Sequence, residues 1–115
     1  MNGECKVNII VPIYNVSKYL PAFLDSVLKQ TYERYRMFVV NDCSTDNSVE
    51  ILNEYIPRFE GKLVYLSNEK NEKMGQTRNR GLDAAEKYPA EYTTFLDSDD
   101  IITPDFLDSM IKKAE

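Results

Sequence analysis

The sequence predicts an α/β domain: a mostly parallel sheet with helices on both faces, in the order β-α-β-α-β-α-β-α. Three observations carry this. Short β-branched apolar runs alternate with longer stretches whose apolar residues recur at helical spacing, and such alternation demands crossovers between parallel strands. The first such run, from Lys6 to Pro12, is mainly β-branched and apolar, the mark of a strand buried on both faces. No repeat, linker or low-complexity segment interrupts the 115 residues, a length that suits a single domain over 1–115 with one modest core.

Lys6-Val7-Asn8-Ile9-Ile10-Val11-Pro12 reads as the first strand, ended by Pro12, which has no N–H for a ladder. The chain then turns through Ile13-Tyr14-Asn15. Ser17 is the expected N-cap of the first helix, with Pro21 in its first turn. Leu20, Phe23, Leu24, Val27 and Leu28 carry that helix to about Thr31. Arg36 to Val40 is a second buried strand, running into a cluster of turn and cap formers from Asn41 to Ser48. Asn47 with Glu50 resembles a capping box, and Asp46 suits a helix start. Val49, Leu52, Tyr55, Ile56 and Phe59 form the second helical stripe, closed by Pro57 and Gly61.

Lys62 to Leu66 is a third strand, less purely apolar and so nearer a sheet edge. After a polar loop, Met74, Arg78, Gly81, Leu82 and Ala85 share one face of a third helix that reaches about Lys87. Arg78 is the oddity there, because a charge on an apolar face must find a partner. Tyr92 to Leu96 reads as a fourth buried strand. Thr103 as N-cap and Pro104 at the first helical position start a last helix, with Phe106, Leu107, Met110 and Ile111, running to Glu115.

Composition removes several classes of function. Net charge is -5 and no basic run occurs, which argues against nucleic acid and against an anionic membrane surface. The longest apolar runs are strand-sized, too short to span a bilayer. Met1 to Lys6 lacks the apolar core of a signal peptide, so a cytoplasmic location is expected, at most peripheral to the cytoplasmic face of a membrane. Cys5 and Cys43 suit a reducing compartment and form no metal-ligand spacing. Histidine is absent, which leaves any chemistry to carboxylates, backbone amides, Arg, Lys and Tyr.

Ligands of such sheets bind beyond the carboxyl ends of the strands, and three of those ends are chemically loaded: Pro12-Ile13-Tyr14-Asn15, Asn41-Asp42-Cys43-Ser44, and Asp97-Ser98-Asp99-Asp100. The last follows Thr94-Phe95-Leu96 and sets three carboxylates within four residues. Their mutual repulsion is most readily offset by a cation, and hard oxygen donors suit Mg2+ or Mn2+; the plainer reading is a polar turn after a core strand. Tyr14 can stack on a base, Asp42 can accept from a base N–H or a ribose hydroxyl, and Arg78 can meet the base or a phosphate oxygen. The plainer alternatives make Tyr14 a core-rim aromatic, Asp42 a helix-approach cap, and Arg78 the partner of Glu86 or Glu72. Cys5 and Cys43 read as inert, and Asp100 and Asp105 as helix-start charges. No glycine-rich phosphate loop occurs, so phosphates would be held through metal.

Val11-Pro12-Ile13-Tyr14-Asn15, Val39-Val40-Asn41-Asp42-Cys43-Ser44-Thr45-Asp46, Gly75-Gln76-Thr77-Arg78-Asn79-Arg80-Gly81 and Phe95-Leu96-Asp97-Ser98-Asp99-Asp100, taken in that order, resemble the family 2 glycosyltransferases of the Rossmann-like GT-A fold. The resemblance spans nearly the whole chain. It implies metal-dependent transfer of a sugar, with inversion, from a nucleotide-diphosphate donor, with UDP-sugar favoured, to an acceptor hydroxyl on a glycan or lipid-linked molecule. Tyr14, with Pro12 before it, would meet the nucleobase, Asp42 the base edge, and Arg78 the base and diphosphate. Asp97-Ser98-Asp99 matches the family's D-x-D motif. Asp99 would be the direct ligand of Mn2+ or Mg2+, with Asp97 and Ser98 toward the ribose and donor sugar and Asp97 a second candidate ligand.

The chain departs from the family pattern in three places. Cys43 stands where Gly is usual, so the turn should take up positive φ less readily. Asn41 replaces a frequent Asp. Family members also continue past the D-x-D motif into an acceptor site and a catalytic Asp or Glu that would deprotonate the acceptor. Residues 1–115 therefore read as the donor-binding part of a longer protein. That part would contain no catalytic residue, transfer little or no sugar alone, and have an exposed strand edge through which it could dimerise. The main rival, a receiver-like signalling domain with an acidic metal pocket, needs an acidic pair where Pro12-Ile13-Tyr14-Asn15 stands. An EF-hand loop would need Gly at Ile102 and Glu at Asp108. A nucleotidyltransferase would need a glycine- and base-rich loop where Tyr14-Asn15-Val16-Ser17 stands.

Overall fold

Among the described residues four parallel strands alternate with four α-helices: β1 Val7–Ile13, α1 Leu20–Leu28, β2 Tyr35–Asn41, α2 Ser48–Tyr55 (followed by a 3-10 turn, Ile56–Phe59, where the expected second helix would have continued), β3 Leu63–Ser67, α3 Lys73–Ala85, β4 Tyr92–Phe95 and α4 Phe106–Ala114. The structure, a computed structural model, describes residues 6–70 and 72–114, without the side chain of Met74. The expectations made for Met1 to Cys5, for Met74 on the apolar face of α3 and for Glu115 as a helix end fall outside the described residues. The strands lie in the order β3-β2-β1-β4, every pair parallel. The expected alternation and the edge position of β3 both hold. Among the described residues no helix is long and apolar enough to cross a membrane.

Alternation along the strands sorts the core into two layers. Val7, Ile9, Val11 and Ile13 of β1, with Met37 and Val39 of β2, pack with Leu20, Phe23, Leu24, Val27, Leu52, Leu107 and Ile111, so α1, α2 and α4 cover this face. On the other face Ile10 and Phe38 pack against Leu82, Ala84 and Ala85 of α3. The helix approaches so closely that a Cβ on Gly81 would lie 2.6 Å from Cγ2 of Ile10 and 3.3 Å from Cγ2 of Val40. Asn8, the one polar residue inside an apolar strand, also faces α3. Its Nδ2 donates to the carbonyl of Tyr88 at 2.9 Å and to that of Ala85 at 3.4 Å, tying β1 to the chain that leaves α3, where the Ala85 carbonyl also accepts from the N–H of Tyr88.

Pro12 does not end β1, which continues through Ile13 in register with β2. The carbonyl of Ile10 accepts from the N–H of Leu96 and that of Ile13 from the N–H of Asp42. Residues 10 and 12 therefore turn their backbone toward β4, and the N–H that Pro12 lacks is one β4 would have needed. The β1–β4 register stops at Ile10 and Phe95. Proline thus ends a ladder rather than a strand, and the chain after Leu96 is released from the sheet.

β4 itself is an edge strand with alternating exposure rather than the buried strand expected, and Phe95 is 43% exposed. Thr93 and Phe95 lie in register with Asn8 and Ile10 and so share the α3 face, but α3 packs over β1 and β2.

Helix starts also differ from expectation. Ser17 lies in the turn before α1; its N–H donates to Oδ2 of Asp46, and Tyr19 occupies the cap position. Asn47 makes no side-chain cap bond; Asp46 does the work, accepting from the N–H of Ser48 at 3.0 Å. At α4, which starts at Phe106 rather than Pro104, the side chain serving the first amides is Gln30, whose Oε1 accepts from the N–H of Leu107 at 3.0 Å. The amide of Gln30 also donates to the carbonyl of Thr103, and the N–H of Thr31 to that of Pro104. These bonds draw the chain out of α1 at Leu28, short of the expected Thr31.

Candidate functional site

All four strands point the same way, so the loops after them gather at one edge, where α3 also begins. Asp42 is a buried carboxylate there, 2% exposed. Its Oδ1 accepts from the N–H of Glu72 at 2.7 Å and from Nδ2 of Asn68 at 3.0 Å; its Oδ2 accepts from the N–H of Lys73 at 3.1 Å. A carboxylate from the end of β2 thus caps α3, using both its hydrogen-bonding capacity and its charge at a helix N-terminus. Among the described residues, three of roughly four acceptor positions are filled. Asn68 is oriented in turn by Thr77, which is fully buried: Nδ2 donates to Oγ1 of Thr77 at 3.1 Å, and that hydroxyl donates to the carbonyl of Lys73 at 2.8 Å.

Cys43 takes up a positive φ of 60°, against the expectation that a non-glycine would resist it. The left-handed conformation costs about 1–2 kcal/mol in a residue with a Cβ. The thiol donates to the carbonyl of Asn68 at 3.2 Å. Asn41 closes the same turn, accepting from the N–H of Ser44 at 3.0 Å and donating to the hydroxyl of Tyr65 at 3.2 Å. Lys73, at the first position of α3, also has a positive φ, 70°.

The loops after β1 and β2 are joined. Oδ1 of Asn15 accepts from the N–H groups of Thr45 and Asp46 at 2.7 and 3.2 Å, and the N–H of Asn15 donates to Oγ of Ser44 at 3.0 Å. The N–H of Val16 donates to Oγ of Ser48 and that of Ser17 to Asp46. Burial pushes the Asp46 carboxyl up, but hydrogen bonds from Ser48 and Ser17 outweigh it and hold the group at about 2. Tyr14 rides on this joined loop with 40% of its surface exposed, whereas Pro12 is buried in the sheet.

Beyond β4, the N–H of Asp100 donates to the carbonyl of Asp97 at 3.1 Å, closing a turn. Ser98 is 5% exposed. Asp97, Asp99 and Asp100 are exposed, and one carboxylate oxygen of each lies within 4.8 Å of the others. Asp100, expected to act as a helix-start charge, belongs to this cluster. Arg78 reaches it from α3, with its NH2 group 3.6 Å from Oδ1 of Asp97; the two side chains are 42% and 63% exposed. The partner that Arg78 needed is therefore Asp97 rather than Glu86 or Glu72. A pair this exposed contributes no more than about 1 kcal/mol.

Of the residues singled out in the sequence, Arg78, Asp97 and Asp99 come together with Asp100. Asp42 is instead enclosed beneath the first turn of α3. Three clustered hard oxygen donors, open to solvent, suit a cation such as Mg2+ or Mn2+ that keeps part of its water shell. Sequence reasoning missed Asn68, Thr77 and the bridging role of Asn15. Thr77 stands four residues before Gly81, at helical spacing, and could have been noticed; Asn68 sits in a polar loop with no pattern to mark it.

The sequence matches, over residues 8–115, the family described as glycosyl transferase family 2. Glycosyltransferase GlyA of Streptococcus pneumoniae is 41% identical over 108 residues, which are 94% of this chain and 15% of that protein. A crystal structure of S. aureus TarS in complex with UDP superposes with a TM-score of 0.82 at 34% identity, covering 93% of this chain and 31% of that one. The mannosyltransferase PcManGT of Pyrobaculum calidifontis, in complex with GDP-Man and Mn2+, shares the fold with a TM-score of 0.81 at 22% identity, covering 93% of this chain and 31% of that one.

Proposed function

The chain belongs to glycosyl transferase family 2, and from that premise we propose that it forms the donor-binding part of a longer enzyme. That enzyme moves a sugar from a nucleoside diphosphate, UDP by preference, to an acceptor hydroxyl with inversion. The observation that carries this reading is the meeting of Arg78 with the acidic turn at the carboxyl edge of the sheet. Two segments distant in the sequence there combine a phosphate-compatible guanidinium with a cation-compatible carboxylate cluster. The lean to UDP is supported by the likeness to TarS, whose structure is described with that nucleotide.

Each residue has a task in this reading. The half-exposed ring of Tyr14 receives the base, and Pro12 sets the position from which it projects. Asp42 offers its remaining acceptor position to the base edge, while its other bonds hold the start of α3 and so the root of Arg78. Arg78 serves the base and diphosphate, and Asp97 and Ser98 face the ribose and sugar. Asp99, with Asp97, would hold Mn2+ or Mg2+, which supplies charge neutralisation for the departing diphosphate. The acceptor, a glycan or lipid-linked hydroxyl, and the carboxylate that deprotonates it belong to the remainder of the enzyme. The free thiol of Cys43 suits a cytoplasmic setting.

The test is a calorimetric comparison of UDP, CDP, GDP and ADP in saturating Mn2+. UDP should bind at least about tenfold tighter than the purine diphosphates, a gap of about 1.4 kcal/mol. Binding of all four alike would remove the UDP assignment; binding of none by the folded chain would remove the donor site.

A further inference from the structure

We propose that Arg78 is a tethered counter-ion for the acidic turn, exchanged for a divalent cation when the donor site fills. The proposal rests on the metal reading above and adds a coupling between metal and nucleotide. The NH2 group of Arg78 stands 3.6 Å from Oδ1 of Asp97, and Asp97 belongs to the same cluster as Asp99 and Asp100. The guanidinium therefore already neutralises part of the charge that a cation would neutralise. It cannot withdraw by losing its proton, because arginine stays charged at any ordinary pH. A cation on the turn and a guanidinium on the same carboxylate repel each other. The arginine is the one able to yield: the pair is exposed on both sides, hence weak and screened.

The root of Arg78 is fixed while its head is free to move. Asp42 caps the first amides of α3, and Gly81 seats the helix against Ile10 and Val40. A head group released from Asp97 thus becomes available to an anion at the same edge without movement of the helix. Metal binding frees the group that the nucleotide uses, and the nucleotide draws away the group that competes with the metal. Such coupling is reciprocal by thermodynamic necessity.

The experiment titrates Mn2+ alone into the wild-type chain, Arg78→Gln and Arg78→Lys, with circular dichroism to establish folding, and then titrates UDP at saturating Mn2+. Arg78→Gln should bind Mn2+ about two- to fivefold tighter than wild type, the range that an exposed ion pair supplies. It should bind UDP more weakly. Arg78→Lys, which keeps the charge, should retain the wild-type affinity for Mn2+. An arginine with a merely structural role would lower both affinities when removed.

Unchanged or weaker Mn2+ binding by Arg78→Gln overturns the coupling, as does an Arg78→Lys chain that gains as much as Arg78→Gln. A wild-type chain that binds Mn2+ with no gain in the variant leaves the donor site standing and overturns this inference alone. A wild-type chain that binds no Mn2+ overturns both.

Discussion

Asp42 holds three donors at once, two of them backbone N–H groups at the start of α3, and the turn that presents it contains a residue in an unfavourable conformation. Cys43 lies at φ 60°, with its thiol donating to the carbonyl of Asn68. Glycine has no such penalty, so Cys43→Gly should raise stability by about 1 kcal/mol. Cys43→Ala, which keeps the Cβ and loses the thiol, should give no gain. Denaturant midpoints of the two variants against wild type decide the matter. The sequence reading marked Cys43 as out of place but expected the turn to resist; the bond to Asn68 becomes visible only once the loops after β2 and β3 are side by side.

Among the elements, α3 is the one whose position matters most, because it carries Arg78 and is capped by Asp42. Its distance from the sheet depends on Gly81. An alanine there would place its Cβ 2.6 Å from Cγ2 of Ile10, a β-branched, fully buried strand residue with no room to turn aside. The helix propensity gained over glycine is about 1 kcal/mol, and the overpacking loss is about 1–3 kcal/mol. Gly81→Ala should therefore be destabilising by about 1 kcal/mol in denaturant unfolding; a stabilised variant would show that the contact relaxes freely.

The order and type of the elements were legible because apolar periodicity is a local property. The caps were not. Ser17, Asn47 and Thr103 had the right chemistry near helix starts, yet Tyr19 occupies the cap position of α1, while the bonds come from Asp46 at α2, Asp42 at α3 and Gln30 at α4. Two of these reach in from distant segments. β4 read as buried because its apolar residues say nothing about how far α3 extends over it.

At the scale of the whole molecule, the acidic turn and Arg78 were recognisable because their residue types conflict with a plain core, and the topology brings them together. Asn68 and Thr77 are ordinary polar residues whose roles need the folded edge. The charge balance sets the final expectation. A chain of net charge -5 repels a diphosphate, has no glycine-rich loop to cradle it, and presents one arginine beside three carboxylates. A nucleotide can bind tightly at that edge only with a cation.

The most direct test is a calorimetric titration of the chain with UDP, with and without Mn2+, beside Asp99→Asn. The account predicts binding that requires Mn2+ and falls by at least about tenfold, about 1.4 kcal/mol, in the variant. UDP binding that is indifferent to Mn2+ and to Asp99, or its absence from a folded wild-type chain, would contradict it.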